Sequence, residues 1–221
     1  MPDSVAIVSG GLDSITLLHW MVKIKGKQPV VVSFKYGQRH EKELTYAKYH
    51  ADLLGVPYVL LDLSPISAAF ASSALVTRSI DIPTAEAVKD DPQPVTYVPN
   101  RNMTFIALAA AYAETAGISE IYYGAQRADM YDYWDTTEAF LDAINTVLRL
   151  SRRRHVTVEA PFITCTKADL LEIGSALGID YGQTWSCYQG GDLACGKCPT
   201  CAERLHAFEM IGSTDPLKYQ G

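Results

Sequence analysis

Near its start the chain reads Ser9-Gly10-Gly11-Leu12-Asp13-Ser14, which gathers hydroxyls, permissive backbone and a carboxylate into six residues. Adjacent glycines reach backbone conformations closed to other residues and can aim successive N–H groups at one anion. A helical apolar pattern resumes at once with Ile15, Leu17 and Leu18, so the free amides and positive dipole end of a helix would face the same point. Ser9 and Ser14 can add hydroxyl hydrogen bonds, and the chemistry indicated is the holding of phosphate groups. Two common phosphate motifs are excluded, because neither G-x-x-x-x-G-K-[ST] nor G-x-G-x-x-G occurs here. On the glycines alone, a tight strand-to-helix turn with no ligand is the competing reading.

A second cluster lies far downstream. Four of the five cysteines, Cys187, Cys195, Cys198 and Cys201, fall within fifteen residues. Thiolates at this spacing can close on one tetrahedral metal, and Gly190, Gly191 and Gly196 let the chain turn between them. Ligand number and spacing favour zinc, structural because protein fills every position. An iron–sulfur cluster is the rival, since C-x2-C-x2-C also occurs in bacterial ferredoxins, although there the next ligand follows as C-x3-C-P. Cys165 has no partner nearby in sequence and reads as a small packing residue rather than a nucleophile.

These residues need a scaffold, and 221 residues with 48% apolar content can bury one. The net charge of -6, from 19 basic and 25 acidic side chains, leaves no global positive field for polymeric nucleic acid. Arg152, Arg153 and Arg154 form a local basic run that reads as a solvated surface segment. The polar opening Met1 to Ser4 does not read as a secretory signal, and the longest near-apolar stretch, Met103 to Ala113, is short of the ~18 residues a membrane span needs. A cytoplasmic location without membrane attachment is expected, where disulfides are disfavoured.

Short β-rich runs alternate with helical segments. Strands are expected at Ser4–Val8, Pro29–Phe34, Tyr58–Leu61, Glu120–Tyr123 and His155–Glu159. Helices are expected at Ile15–Lys25, through Leu44, Ala47, Ala51 and Leu54, through Phe105–Tyr112 with Asn102 as cap, through Phe140 to Leu148, after the cap Thr166, and over Thr200–Ile211. The helix around Phe105–Tyr112 is apolar all round and is expected to be buried on most sides. The proline-punctuated stretch Ser64–Pro99 reads as a long loop with a short helix. Strand–helix alternation predicts an α/β fold with a doubly wound, five-stranded, mainly parallel sheet. Ligands in such sheets bind at the carboxyl ends of the strands, which here carry residues 9–14, 34–40, 62–65, 124–135 and 160–167.

SGGLDS directly after the first strand resembles the SGGxDS loop of the N-type ATP pyrophosphatases, the PP-loop enzymes. The resemblance implies an adenine nucleotide alpha hydrolase-like fold and adenylation, in which AMP passes to a substrate oxygen and pyrophosphate leaves from the loop. It places the ATP site along Val8, Ser9, Gly10, Gly11, Leu12, Asp13, Ser14, Ile15, Thr16, Leu17 and Leu18, with Asp13 helping to order Mg²⁺. The order of motifs is closer still to one family. V-S-G-G-L-D-S, S-F-K-Y-G-Q-R-H-E-K-E-L at 33–44, V-P-N-R-N at 98–102 and T-W-S-C-Y-Q-G-G-D-L-A-C-G-K-C-P-T-C at 184–201 resemble the 7-cyano-7-deazaguanine synthases over nearly the whole chain.

That resemblance implies an ATP-dependent, C–N bond-forming ligase. It would take 7-carboxy-7-deazaguanine and ammonia through an adenylated carboxylate and an adenylated amide to the nitrile, a precursor of queuosine or archaeosine. Asp13, Ser14, Lys167 and Arg101 would be catalytic, and Tyr36, Gln38, Arg39, Arg101 and Asp129 would contact the 7-deazapurine. It further implies an ATP-binding domain over 1–180, a small zinc-binding knuckle over 181–221, and a homodimer. Two positions depart from the family pattern: Asn100 stands where glycine is usual, and residues 129–136 replace a stretch resembling D-Y-S-G-Y-P-D-C. Asparagine accepts the left-handed conformation that a glycine there would supply. The alternatives are a relative that stops at the amide or couples to another amine, an RNA-thiolating PP-loop enzyme with an iron–sulfur cluster, and a non-catalytic nucleotide-binding module.

Overall fold

The computed structural model describes residues 1–91, 93–127 and 133–220. Five strands, β1 (Ser4–Ile7), β2 (Pro29–Lys35), β3 (Tyr58–Asp62), β4 (Glu120–Tyr123) and β5 (Thr157–Glu159), form one sheet in the order β3-β2-β1-β4-β5. Every pairing is parallel. Parallel neighbours need crossovers, and four helices supply them: α1 (Leu12–Lys23), α2 (Glu43–Leu53), α3 (Arg101–Ala116) and α4 (Glu138–Leu148), while α5 (Lys167–Ala176) follows β5. A sixth helix, α6 (Pro199–Met210), follows the cysteine segment.

Side chains of a strand alternate between faces, so β1 and β2 feed two separate cores. Ala6, Val8 and Val31 meet Ile15, Leu18, Ala47, Leu170 and Leu171 from α1, α2 and α5. Val5, Val30 and Val32 meet Ile106, Ala109, Ala113 and Phe140 from α3 and α4 on the other side. Each wholly buried leucine or isoleucine of this kind contributes roughly 1.5–3 kcal/mol. Because β1 is central and covered on both faces, residues 5–8 are apolar without interruption, and the order reverses between β1 and β4. That reversal opens a crevice at the carboxyl ends of the two strands, where Ser9–Ser14 and Gly124–Gln126 emerge.

The expected elements are present with ends shifted by a few residues. Asn102 is not the cap of α3: it lies inside the first turn, and its Nδ2 donates to the Asp135 carbonyl at 3.4 Å. The cap is Asn100, held left-handed at φ 52°. Nor is α3 buried on most sides, since Ile106, Ala109, Ala110 and Ala113 face inward while Ala107 and Ala111 are exposed. Small alanines lend an apolar character to both faces without needing burial. Thr166 caps α5 as expected, in a reciprocal box with Asp169. Segment 64–99 contains short 3-10 turns at Ser64–Phe70 and Glu86–Val88.

The final segment is pinned to the first core. Arg204 of α6, 1% exposed, makes a bidentate pair with Asp215 through Nε at 2.6 Å and Nη2 at 2.9 Å. It also donates to Thr184 Oγ1 and the Tyr181 carbonyl, so its donors are satisfied in a place where an unpaired charge would be costly. Ala207 and Phe208 on the same helix join the core beside α1 and α5. Among the described residues, no helix is long and apolar enough to cross a membrane.

Candidate active site

The loop after β1 is built on glycine at one position above all. Gly10 has φ +101°, and a Cβ there would lie 1.9 Å from the Glu43 carbonyl oxygen, so no other residue fits. The loop is also organised from within. The Ser14 hydroxyl accepts from the amides of Ser9 at 3.2 Å and Gly10 at 3.3 Å and donates to the Gly11 carbonyl at 3.1 Å. The Gly11 amide reaches Ser9 Oγ at 3.2 Å. From the far end of the chain, the Trp185 amide donates to the Gly10 carbonyl at 3.0 Å.

A cleft of about 280 Å³ lies over this loop. On its floor Lys167, from the first turn of α5, places Nζ 3.7 Å from Asp13 Oδ2 and 3.0 Å from Glu203 Oε2. Burial alone would lower the lysine, but the two carboxylates carry it above its usual range, and it holds a positive charge in the cleft. Asp13 is raised by burial, with Lys167 opposing that shift. Asp13 Oδ1 has no hydrogen-bond partner among the described residues. A buried carboxylate oxygen left free beside a phosphate-type loop suits a hard cation such as Mg²⁺.

The opposite wall is aromatic and cationic. Phe34 and Phe105 stack with centroids 4.2 Å apart and planes 10° from parallel, and Tyr36 meets Phe105 edge-on at 5.4 Å. Arg101, at the start of α3, stands between Tyr36 and Tyr188; burial works against its charge, but those hydroxyls and Asp135 more than restore it. His40 and Glu43 close the side towards α2, with His40 Nε2 3.5 Å from Glu43 Oε1. Burial lowers His40 to about 4 and raises Glu43 to about 8.

The structure sorts the residues named from sequence. Val8, Ser9, Gly11, Leu12, Asp13, Ser14, Tyr36, Arg101 and Lys167 all line the cleft. Gly10 shapes the loop from behind, while Ile15, Leu17 and Leu18 point into the core and Thr16 bonds Tyr181. Gln38 lies one layer back: its Oε1 accepts from the Tyr36 amide and its Nε2 donates to Glu43 Oε1 at 3.2 Å. Arg39 does not line the cleft: its Nη2 donates to the carbonyls of Thr77 and Ile80. Asp129 lies outside the described residues. His40, Glu43, Trp185, Tyr188 and Glu203 line the cleft without having been singled out. The signal that could have found the first four is that they sit inside the motifs at 33–44 and 184–201.

The cysteines come together. The Sγ atoms of Cys187, Cys195, Cys198 and Cys201 all lie within 4.8 Å of one another, buried or nearly so. Zinc–sulfur bonds of about 2.3 Å in a tetrahedron put sulfurs about 3.8 Å apart, which this cluster approaches. In a four-iron cube each thiolate binds its own corner, so the sulfurs would be held farther apart by the inorganic core. The donor set and its size therefore fit one structural zinc. The amides of Cys195 and Cys198 donate to Cys187 and Cys195 Sγ, each at 3.3 Å, as suits thiolate charge. Trp185 packs on the cluster and donates its Nε1 to the Cys187 carbonyl at 2.9 Å. Gly190 turns the segment where a Cβ would lie 2.6 Å from the Arg39 carbonyl oxygen. The cluster thus holds Trp185 and Tyr188 in the cleft wall.

Comparison with known proteins agrees with this geometry. The family model of queuosine biosynthesis protein QueC matches residues 3–212. A 7-cyano-7-deazaguanine synthase of Alteromonas mediterranea is 44% identical over 217 residues, covering 98% of both chains. One from Caldicellulosiruptor saccharolyticus is 43% identical over 217 residues, covering 98% of this chain and 95% of its own. Among solved structures, NMN synthetase from Francisella tularensis aligns with a TM-score of 0.53 at 12% identity, covering 96% of this chain and 78% of its own. The U34-tRNA thiolase NcsA of Methanococcus maripaludis, with its [4Fe-4S] cluster, aligns at 0.51 and 10% identity, covering 96% of this chain and 66% of its own. The last two show a shared fold alone. Because the family pattern runs through residues 3–212 and relatives above 40% identity span 98% of the chain, this chain belongs to the QueC family of queuosine biosynthesis proteins.

Proposed function

We propose that the chain makes 7-cyano-7-deazaguanine from 7-carboxy-7-deazaguanine and ammonia, using ATP at each of two stages. The supporting observation is one cleft that joins a lysine-free phosphate loop to an aromatic wall bearing Arg101. A carboxylate and an amide are both poor electrophiles until their oxygen becomes a leaving group, and AMP makes it one. The amides and hydroxyls of Ser9, Gly11 and Ser14 suit a departing pyrophosphate, and Lys167 suits the charge that builds on it. Asp13 would hold Mg²⁺, which supplies charge neutralisation to the phosphates when bound. Stacking on Phe105 or Tyr36 and an ion pair with Arg101 would orient the planar acid. The zinc is structural and takes no part in the chemistry.

Incubation with ATP, Mg²⁺, ammonia and 7-carboxy-7-deazaguanine, with products resolved by mass, tests the reading. Nitrile together with AMP and pyrophosphate is expected. Amide as the final product would sustain the shortened pathway instead, and no AMP at all would abandon the ligase. We place this reaction in the cytoplasm and in a homodimer, the latter checked by light scattering against the monomer mass of 24.3 kDa.

A further inference from the structure

Carrying an acid to a nitrile sheds protons from nitrogen, and the cleft must contain a group that takes them. Ammonia attacks the acyl adenylate, the C–N bond forms, the C–O bond to AMP breaks with its electron pair, and the nitrogen then carries one proton too many. In the second stage the amide oxygen is adenylated, AMP leaves with the C–O electron pair, and the nitrogen gives up both hydrogens as C≡N forms. The carboxylates near the phosphate loop are poorly suited, because Asp13 and Glu203 are both engaged by Lys167.

Glu43 is differently placed. It lines the cleft on the side towards α2, almost buried, on the first turn of that helix, with its own carbonyl packed against Gly10. Its Oε1 accepts from Gln38 Nε2 at 3.2 Å and faces His40 Nε2 at 3.5 Å. Its other charged and titratable neighbours are Arg101 from α3, Tyr36 from the end of β2 and Tyr58 from β3. None of the described residues makes an ion pair with it that would fix it as a permanent anion, apart from a histidine kept neutral by burial. Gln38, buried and bonded to the Phe34 carbonyl and the Tyr36 amide, fixes the direction of the carboxyl. Such a group is held for orientation and left free in charge.

We propose that Glu43 is a catalytic residue of this reaction, accepting the protons that nitrogen loses when AMP is displaced by ammonia and when the adenylated amide collapses to the nitrile. The inference rests on the proposed function above. Burial raises this carboxyl to about 8, close to the working pH, where a proton acceptor both takes and returns protons readily.

The test separates nitrogen chemistry from adenylation. Glu43→Gln and Glu43→Asp are compared with the parent in pyrophosphate release from the acid with hydroxylamine as nucleophile, and in amide and nitrile formation with ammonia. Hydroxylamine is neutral at neutral pH and strongly nucleophilic, so it traps the acyl adenylate without needing a base. Glu43→Gln is expected to lose nitrile formation by about a hundredfold or more while hydroxamate formation stays within a few-fold. Glu43→Asp should recover part of the loss. The parent's nitrile rate should rise with pH to about 8, and the Glu43→Gln rate should lose that inflection. Equal loss of hydroxamate and nitrile, or unchanged nitrile formation in Glu43→Gln, would overturn the proposal. Should Glu43→Gln fail to fold, absence of the parent's inflection overturns it by itself. A parent that releases no pyrophosphate from the acid would instead defeat the underlying function.

Discussion

Lys167 Nζ stands 3.0 Å from Glu203 Oε2, so the first turn of α5 and the cysteine-anchored helix α6 meet on the floor of the cleft. The same ammonium reaches Asp13 at 3.7 Å, which joins three distant stretches of sequence through one charge. Replacing Lys167 by Met leaves two carboxylates facing each other. Pyrophosphate release is expected to fall by about a hundredfold or more. Stability at neutral pH should drop by about 2 kcal/mol, discounted for the partial exposure of Asp13. Urea denaturation and a pyrophosphate assay check the two effects separately.

The metal cluster supports the cleft wall as well as the tail. One zinc per chain by elemental analysis, with no visible absorbance band, is the expected composition. Cys198→Ser should lose the metal and much of the soluble protein. Stripping metal from the parent with a chelator should shift the fluorescence of Trp185, which packs on the cluster, and activity should fall in step with it. Iron and sulfide in stoichiometric amount would contradict the assignment.

Acid should weaken the fold through a buried histidine pair. His50 Nε2 donates to the Gln183 carbonyl at 2.9 Å, which leaves its Nδ1 to accept from His19 Nε2 at 2.9 Å. His19 Nδ1 then has no partner for a proton among the described residues. Burial, with His50 adding, lowers His19 to about 3. Its folded pKa lies below the unfolded value of 6.5, so the stabilisation is present above pH 6.5 and is lost as pH falls towards about 3. Urea midpoints measured across that window should fall, and His19→Gln should flatten the decline.

Asn100 carries the only left-handed non-glycine backbone among the described residues. Asn100→Ala should cost about 1 kcal/mol, and Asn100→Gly should be close to neutral. Gly10→Ala should be far worse for function, because the added carbon meets the Glu43 carbonyl and must displace either the loop or α2. Thermal melts rank the first pair, and nucleotide binding by calorimetry reports the last.

The strands were legible because a parallel sheet buried on both faces demands unbroken apolar runs, and Val30, Val31 and Val32 supply one. Capping chemistry was legible at Thr166 and not at α3, where the left-handed Asn100 precedes the helix and its side chain makes no capping hydrogen bond. The phosphate loop could be read because its parts are contiguous. Glu203 could not, since a carboxylate on α6 looks like any solvated helix charge until Lys167 is brought to it by the fold. Glu43 was hidden in the same way within a run of charged residues at 39–43. Arg39, in that run, instead ties down the loop carbonyls of Thr77 and Ile80.

The hydrogen bond from the Trp185 amide to the Gly10 carbonyl bears on how the protein is made. Gly10 precedes Trp185 in the order of synthesis, so this bond to the loop forms only after the segment that carries Trp185 and the cysteines has been made. The shape of the loop is thereby tied to the cysteine segment, and loss of that segment is expected to loosen the loop.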